Sequence, residues 1–271
     1  MPKRSTAIPR SAPERKKGSA PRVSAVVRVF AILERLSRDR SLSLEELYHG
    51  ARLAKPTLYR FLLTLQALGY VRRDEQDRWA MTLKLFNTGS RAIDHLDLHA
   101  AARPIAQELA EALGETVHMG VLEADAAVYV LKIESKHTLR MYSRVGRRIP
   151  LYCTAIGKVL LAHAPSEERS AVLKGIQLIP HTPRTLTSRA ELEAELEKTR
   201  RQGYALDAEE HEVGIRCIGA PVFDYTGEVV AALSASWPTF RFPAGGMVPA
   251  AEAVVAAAAR ISLSLGHFQR A

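Results

Sequence analysis

Cysteine is scarce in this chain, and long apolar runs are absent. The 271 residues include only Cys153 and Cys217, which stand far apart and predict neither a disulfide framework nor a metal site. So few cysteines fit a reducing cytoplasm. No apolar run reaches about 18 residues, so we expect no transmembrane helix. No apolar segment follows the basic N-terminus, so we expect no signal peptide and no membrane partner.

Sequence signatures of catalysis are also missing. Residues 152–162, YCTAIGKVLLA, contain a Gly-Lys pair, but a phosphate-binding loop needs GxxxxGK followed by Ser or Thr. A nucleophilic cysteine needs a base within reach, and no local pattern ties Cys153 to a histidine. We therefore expect a protein that is not an enzyme and that uses no cofactor or metal. An enzyme that uses Cys153 or Cys217 is the less favoured alternative.

Positive charge is present in excess and is concentrated at one end. Residues 1–100 carry 19 Lys/Arg against 10 Asp/Glu, whereas residues 101–271 carry 19 of each. A basic segment joined to a neutral one predicts a polyanion-binding module with a separate partner domain. The alternative is a basic tail that only keeps the chain in solution.

The N-terminal third begins with a basic arm and two helices. Residues 1–22 are rich in Pro, Ser, Lys and Arg and predict a disordered arm. Apolar residues at helical spacing predict a helix over residues 23–38, with Ser24 as its N-cap. Ser43 followed by Glu46 is a capping-box pattern that opens a short second helix.

A third helix and a small hairpin complete this pattern. Residues 55–69 have Pro56 at an early position, where proline is tolerated, and Gly69 at the end. Two short strands joined by a polar turn follow. Three helices and a hairpin predict a winged helix–turn–helix domain over residues 23–85, whose third helix enters the major groove of DNA.

Basic and polar side chains of the third helix and the hairpin are candidates for contact with DNA. They are Lys55, Thr57, Tyr59 and Arg60 on the helix and Arg72, Arg73 and Arg78 on the hairpin. Two alternatives stay open, since Tyr59 could pack on the second helix and Lys55 could be a solvated charge. As a set on a basic module, these residues predict a double-stranded DNA operator as the partner.

The rest of the chain predicts a second domain of a different kind. Residues 86–113 predict linking helices. Alternating patterns predict a hairpin over residues 115–135, a strand over residues 139–146 and a second hairpin over residues 214–237. Helical segments lie between the hairpins and at the end. An antiparallel sheet flanked by helices, an α+β fold, is expected over residues 114–271.

Four segments together resemble the IclR family of bacterial transcription regulators. They are KPTLYRFLLTLQALGYV, LRMYSRVGRRIPLYCTAIGKVLLA, GYALDAEEHEVGIRCIGAPVFD and LSASWP, and the resemblance extends over residues 23–268. It implies an N-terminal winged helix–turn–helix joined by a linker helix to a GAF-like effector-binding domain. It also implies assembly as a homodimer or tetramer, and a cytoplasmic protein that associates with the nucleoid when bound to DNA. Ala54 departs from the family pattern, where Ser often caps the third helix.

The resemblance is strongest to members that respond to 2-keto-3-deoxygluconate. It therefore implies a repressor of genes for pectin, hexuronate or sugar-acid breakdown, which that acid relieves. Another effector remains as an alternative: glyoxylate or pyruvate, an aromatic acid, or glycerol. The operator, the regulated genes and the choice between dimer and tetramer are left open.

Residues 152–162 are interpreted as a helix start that binds a carboxylate. With Thr154 near the cap, the backbone N–H groups of Ala155, Ile156 and Gly157 are expected to point outward. In the resembling family this helix start faces the effector pocket. Lys158 is expected to be a solvated charge.

The same resemblance assigns further pocket residues. They are Asp207, Cys217, Ser234 and Ser236. Met141 and Tyr152 are separate candidates for pocket walls, with core packing as an equal alternative. Two serines two positions apart on a strand face the same side, and an ionised Asp207 favours an effector with hydroxyl donors. The serines could also be ordinary strand residues, and Cys217 a small buried apolar residue.

Overall fold

The chain divides into two compact units, and the boundary along the sequence lies between residues 95 and 96. The computed structural model describes residues 23–50, 53–93, 97–138, 142–243 and 246–268. The predicted basic arm, residues 1–22, and the predicted pocket residue Met141 lie outside the described residues.

The first unit is a winged helix–turn–helix, as predicted. Its elements are α1 (Ser24–Leu36), α2 (Leu44–Gly50), α3 (Lys55–Ala67), β1 (Val71–Arg73), β2 (Trp79–Met81) and α4 (Lys84–Ile93). Strands β1 and β2 pair antiparallel and form the wing. Leu58 and Leu62 of α3 are fully buried against Trp79, which joins the helices and the wing in one core.

The helix ends of this unit follow the sequence signals with one exception. Ser43 and Glu46 form the predicted capping box, with Glu46 N donating to Ser43 Oγ at 3.2 Å and Ser43 N to Glu46 Oε2 at 2.7 Å. The prediction of Ser24 as an N-cap is wrong. The chain is already helical at Ser24, so Val23 takes the cap position and offers no side-chain acceptor.

The second unit is built on one antiparallel sheet, which confirms the predicted α+β class. Its helices are α5 (Leu98–Leu113), α6 (Ala155–His163), α7 (Ser166–Gly175), α8 (Arg189–Gln202) and α9 (Met247–Ser264). Its strands are β3 (Thr116–Glu123), β4 (Ala126–Ile133), β5 (Arg148–Ile149), β6 (Ala205–Ala208), β7 (Ile215–Phe223) and β8 (Val229–Pro238). The strand order is β5-β4-β3-β8-β7-β6. Both predicted hairpins are present, as β3–β4 and β7–β8.

Helices cover the two faces of this sheet differently. Val117, Ile218 and Leu233 point to one face and pack against α5 and α9. Among the described helices, α9 is long and apolar enough to cross a membrane by length and composition, but its buried side belongs to this core. The opposite face is covered by α6, and α8 packs on α6. Alternation along each strand therefore sends every second side chain toward α6.

One predicted strand is absent, and two short strands were missed. The described part of residues 139–146 is not a strand: Tyr142 and Val145 are 96% and 57% exposed, so their apolar side chains have no face to bury. The short strands β5 and β6 were not predicted. The linker assigned to residues 86–113 stays a prediction, although α5 packs on α9 and β3 of the second unit.

Candidate DNA-binding and effector-binding sites

The N-terminal end of α3 presents part of the predicted DNA-contact set to solvent. Lys55 and Arg60 are exposed on the helix, Thr57 is half-buried, and Arg72 is exposed on the wing. Within the described ranges, neither Arg60 nor Arg72 forms an ion pair, whereas Lys55 pairs with Glu45. The two unpaired guanidinium groups are therefore free to meet phosphates or base edges.

The other predicted contact residues are partly used inside the domain. Arg78 donates from Nε to Ser41 Oγ at 3.1 Å and from Nη2 to Ser41 O at 2.9 Å and to Glu46 at 3.0 Å. Arg73 lies over the ring of Trp79 at 5.6 Å. Tyr59 packs edge-on against the same ring at 6.3 Å. These three residues shape the wing.

On the second unit, a row of polar side chains crosses the face of the sheet that α6 covers. Asp207 pairs with Cys217, and Cys217 pairs with Ser236, on three neighbouring strands. Residues paired in this way project from the same face, and Cys217 Sγ donates to Ser236 Oγ at 3.2 Å. Ser234, two positions from Ser236, shares that face. All four side chains line one cavity.

The N-terminal end of α6 closes this cavity. Thr154 is the N-cap, and Ala155 and Ile156 line the cavity with it. Within the described residues, the N–H groups of Ala155 and Ile156 have no acceptor, as expected at the start of a helix. Two donors at the positive end of a helix dipole therefore face serine hydroxyls across a cavity, an arrangement that suits an anion.

Gly157 plays a different part from the one predicted. Its N–H donates to Thr154 Oγ1 at 3.0 Å, so the prediction of a free N–H there is wrong. A Cβ on Gly157 would lie 2.5 Å from Pro150 O and from Leu151 Cα. Glycine is therefore needed because the preceding loop passes directly against the helix, and that contact places the helix start.

Tyr152 lies outside the cavity. Its hydroxyl donates to Ile179 O at 2.8 Å and lies 3.1 Å from His181 Nε2. The side chain therefore fixes the loop before α8. It does not line this cavity and is buried in a core cluster, in line with the alternative of core packing.

Lys158 was expected to be solvated, but it is completely buried. Its ammonium donates to Glu210 at 2.6 and 2.8 Å. The ammonium group is buried together with the aliphatic stem and cannot be hydrated. A buried charge is costly unless it is paired, and the Glu210 carboxylate provides the pairing. This pair ties α6 to the β6–β7 loop.

Asp207 lies in β6, just before that loop, and is 4% exposed. Burial raises the pKa of Asp207 to about 7, although the backbone N–H of Glu210 donates to its carboxylate at 2.8 Å and favours the charged form. The negative charge of Glu210 raises this pKa further. The raised pKa favours the protonated carboxyl group, which repels an anion less than an ionised aspartate does.

Five cavity residues were missed by the sequence analysis: Tyr129, Ile149, His211, Glu212 and Ile215. The acidic run DAEEHE after residue 206 was a usable signal for the loop that carries His211 and Glu212. No comparable signal marked Tyr129 or Ile149, because their positions at the cavity depend on how β4 and β5 pair within the sheet.

The structure also brings a histidine to Cys153. His211 Nδ1 lies 3.7 Å from Cys153 Sγ. Burial raises the pKa of the Cys153 thiol to about 12 and lowers the pKa of His211 to about 4. Both shifts disfavour a thiolate–imidazolium pair, so the contact is unsuited to nucleophilic catalysis.

Comparison with known proteins identifies the architecture. Residues 25–75 match the family model of the IclR helix-turn-helix domain, and residues 90–263 match the model of the bacterial transcriptional regulator IclR C-terminal domain. The chain belongs to the IclR family. It is a DNA-binding transcription regulator with a ligand-responsive effector domain, in a family of non-enzymes, and regulators of this kind act in the cytoplasm.

Individual IclR relatives match over most of the chain. The HTH-type transcriptional regulator KdgR of Escherichia coli (strain K12) is 44% identical over 90% of this chain and 94% of its own length. KdgR of Dickeya chrysanthemi is 46% identical over 81% and 72%. The crystal structure of the Agobacterium tumefaciens repressor BlcR, 25% identical, covers 91% of this chain and 99% of that one with a TM-score of 0.77.

Proposed function

We propose that this IclR-family regulator represses genes of pectin, hexuronate or sugar-acid breakdown and that a 2-keto-3-deoxygluconate-like acid relieves the repression. The observation that carries the effector assignment is the single cavity in which free N–H groups of α6 face two strand serines and a buried aspartate. The similarity to KdgR regulators supports the same assignment.

The chemistry of the cavity favours an acid that also has hydroxyl groups. The N–H groups of Ala155 and Ile156 take the carboxylate or keto oxygens. Ser234 and Ser236 exchange hydrogen bonds with hydroxyl groups, and Asp207 accepts from them when ionised. Glycerol lacks the carboxylate, and glyoxylate and pyruvate lack the hydroxyls, so each leaves part of this polar set unsatisfied.

The cavity is small in the present conformation. Its free volume is ≈ 40 Å³, whereas pockets that hold a small-molecule ligand measure about 300–1,000 Å³. A six-carbon acid therefore requires the wall to move. The wall formed by His211 and Glu212 belongs to a loop, whereas the serines and the α6 end belong to regular elements. We infer that effector binding selects a conformation with this loop displaced.

The operator contacts come from the first unit. Arg60, Arg72, Thr57 and Lys55 are the proposed contacts of α3 and the wing with base edges and phosphates. A smaller share of the operator-binding energy is assigned to the residues that support the wing, which are Arg73, Tyr59 and Arg78. Binding to chromosomal DNA places the protein with the nucleoid.

A homodimer or tetramer is proposed as the active form. Val26 and Phe30 of α1 are 52% and 54% exposed in the single chain, and such apolar groups favour a protein contact. Light scattering measures the mass of wild type and of Phe30→Lys. A smaller assembly in the variant supports the proposal, and a monomeric wild type contradicts it.

The effector assignment is tested with a panel of acids. 2-Keto-3-deoxygluconate, pyruvate, glyoxylate, an aromatic acid and glycerol are each added at 100 times an assumed dissociation constant, where true binding stabilises the fold by about 2.7 kcal/mol. We expect the sugar acid to raise the thermal midpoint most and to weaken operator binding. Ser234→Ala should reduce both effects, and Ser264→Ala, an exposed serine on α9, should reduce neither. A larger response to another acid contradicts the assignment.

A further inference from the structure

Cys153, His181 and His211 are distant in sequence but come together beside the effector cavity. Their sulfur and ring nitrogen ligand atoms all lie within 4.8 Å of one another. Cys153 is buried, His211 is half-buried and His181 is exposed, so an ion reaches the cluster from solvent on the His181 side. The family assignment does not use this cluster, and only His211 of the three also lines the proposed effector cavity.

We propose that these three side chains bind one divalent transition-metal ion, and that Zn²⁺ fits them best. Zinc takes thiolate sulfur at about 2.3 Å and imidazole nitrogen at about 2.0–2.1 Å in a tetrahedral arrangement. Those bond lengths put a sulfur and a nitrogen ligand about 3.6 Å apart. The distance from Cys153 Sγ to His211 Nδ1 is 3.7 Å, so this pair is already spaced as two ligands of one ion.

His181 is held in place to complete the set. Its ring lies 5.1 Å from that of His211, and its Nε2 lies 3.1 Å from the Tyr152 hydroxyl. That hydroxyl is itself anchored to the backbone of Ile179. Partners of this kind orient ligating imidazoles in metal sites. One sulfur and two nitrogens select zinc over magnesium or calcium, which prefer oxygen.

Three protein ligands leave a fourth position for a water or another oxygen ligand, as in zinc sites with an open position. The Cys153 thiol gives its proton to solvent when the metal–sulfur bond forms, and no oxidation state changes. The ion joins Cys153, next to the Thr154 cap, to the loop that carries His211. It therefore braces the wall of the effector cavity, and this site stands whether or not a sugar acid is the effector.

Cobalt substitution tests the site in the full chain. The protein is stripped with a chelator and titrated with Co²⁺. We expect a sulfur-to-cobalt charge-transfer band and the visible bands of tetrahedral cobalt, saturating at one ion per chain and lost when Zn²⁺ is added. Cys153→Ser should lose the charge-transfer band. His181→Ala should bind about tenfold or more weakly, and His99→Ala, at an exposed histidine of the same unit, should bind as wild type.

If Cys153→Ser fails to fold, the test relies on His181→Ala. His181 is exposed, so its replacement should leave the fold intact. Zn²⁺ should raise the thermal midpoint of wild type and of His99→Ala but not of His181→Ala. The absence of a charge-transfer band in wild type, or equal metal affinity in wild type and His181→Ala, overturns the proposal.

Discussion

Replacement of Lys158 by Met removes the charge that holds α6 to the β6–β7 loop. The Lys158 side chain is 0% exposed and that of its partner Glu210 is 10% exposed. Met has a similar length and no charge, so the carboxylate stays buried without its cation. Removing one partner of a buried pair costs about 3–5 kcal/mol.

The loss should depend on pH. Burial already raises the pKa of Glu210, against the opposing charge of Lys158. Without Lys158 the pKa of Glu210 rises further. At low pH Glu210 is then protonated, which removes the cost of burying an unpaired carboxylate. We therefore expect the full loss near about pH 8 and a smaller one near about pH 5.

Urea denaturation followed by tryptophan fluorescence measures this effect, because Trp79 reports on the first unit and Trp237 on the second. Lys198→Met is the matched control: Lys198 pairs with Glu195 at 3.2 Å, but its side chain is 50% exposed. Surface pairs contribute about 0–1 kcal/mol. The double variant Lys158→Met/Glu210→Gln, which removes both charges of the pair, should recover much of the loss. A Lys158→Met loss no larger than that of Lys198→Met refutes this reasoning.

Three further predictions concern the operator, the helix start and the cavity. Arg60→Ala should weaken operator binding by about 1–3 kcal/mol in a mobility-shift titration and leave the effector-induced thermal shift intact; equal loss of both contradicts it. Gly157→Ala should cost about 1–3 kcal/mol in thermal denaturation, since the new Cβ lies 2.5 Å from two backbone atoms, whereas Gly175→Ala, with nothing within 4 Å, should cost little. Asp207→Asn should be more stable than wild type above about pH 7. The pKa of Asp207 is raised from 3.8 to about 7 in the folded state. As the pH rises from about 4 to about 7, the free energy of unfolding of wild type should therefore fall by up to about 4 kcal/mol. Parallel dependence of this free energy on pH in wild type and Asp207→Asn contradicts the prediction.

Local signals in the sequence predicted the elements of both units well. The capping box at Ser43, the glycine at position 69 and the turn at residues 225–227 each act within a few residues, so they can be recognised without the fold. The strand predicted over residues 139–146 failed because alternation alone does not show whether a face is buried. The short strands β5 and β6 were missed because each is defined by its pairing, β5 with β4 and β6 with β7.

The candidate cavity could be predicted only in part. The α6 start and the serines of β8 came from local pattern and family resemblance, and they line one cavity with Asp207 and Cys217. The buried Lys158–Glu210 pair and the approach of His211 to Cys153 depend on the path of the β6–β7 loop. Contacts of that kind span more than fifty residues, and no local spacing encodes them.

The most direct test of the central claim is an anisotropy titration with a labelled operator. The regulator–operator complex is formed first, and 2-keto-3-deoxygluconate is then added. We predict release of the operator at concentrations that also raise the thermal midpoint of the free protein, with Ser234→Ala requiring more acid for both. An operator complex that is unchanged by this acid but released by glyoxylate, an aromatic acid or glycerol would contradict the account.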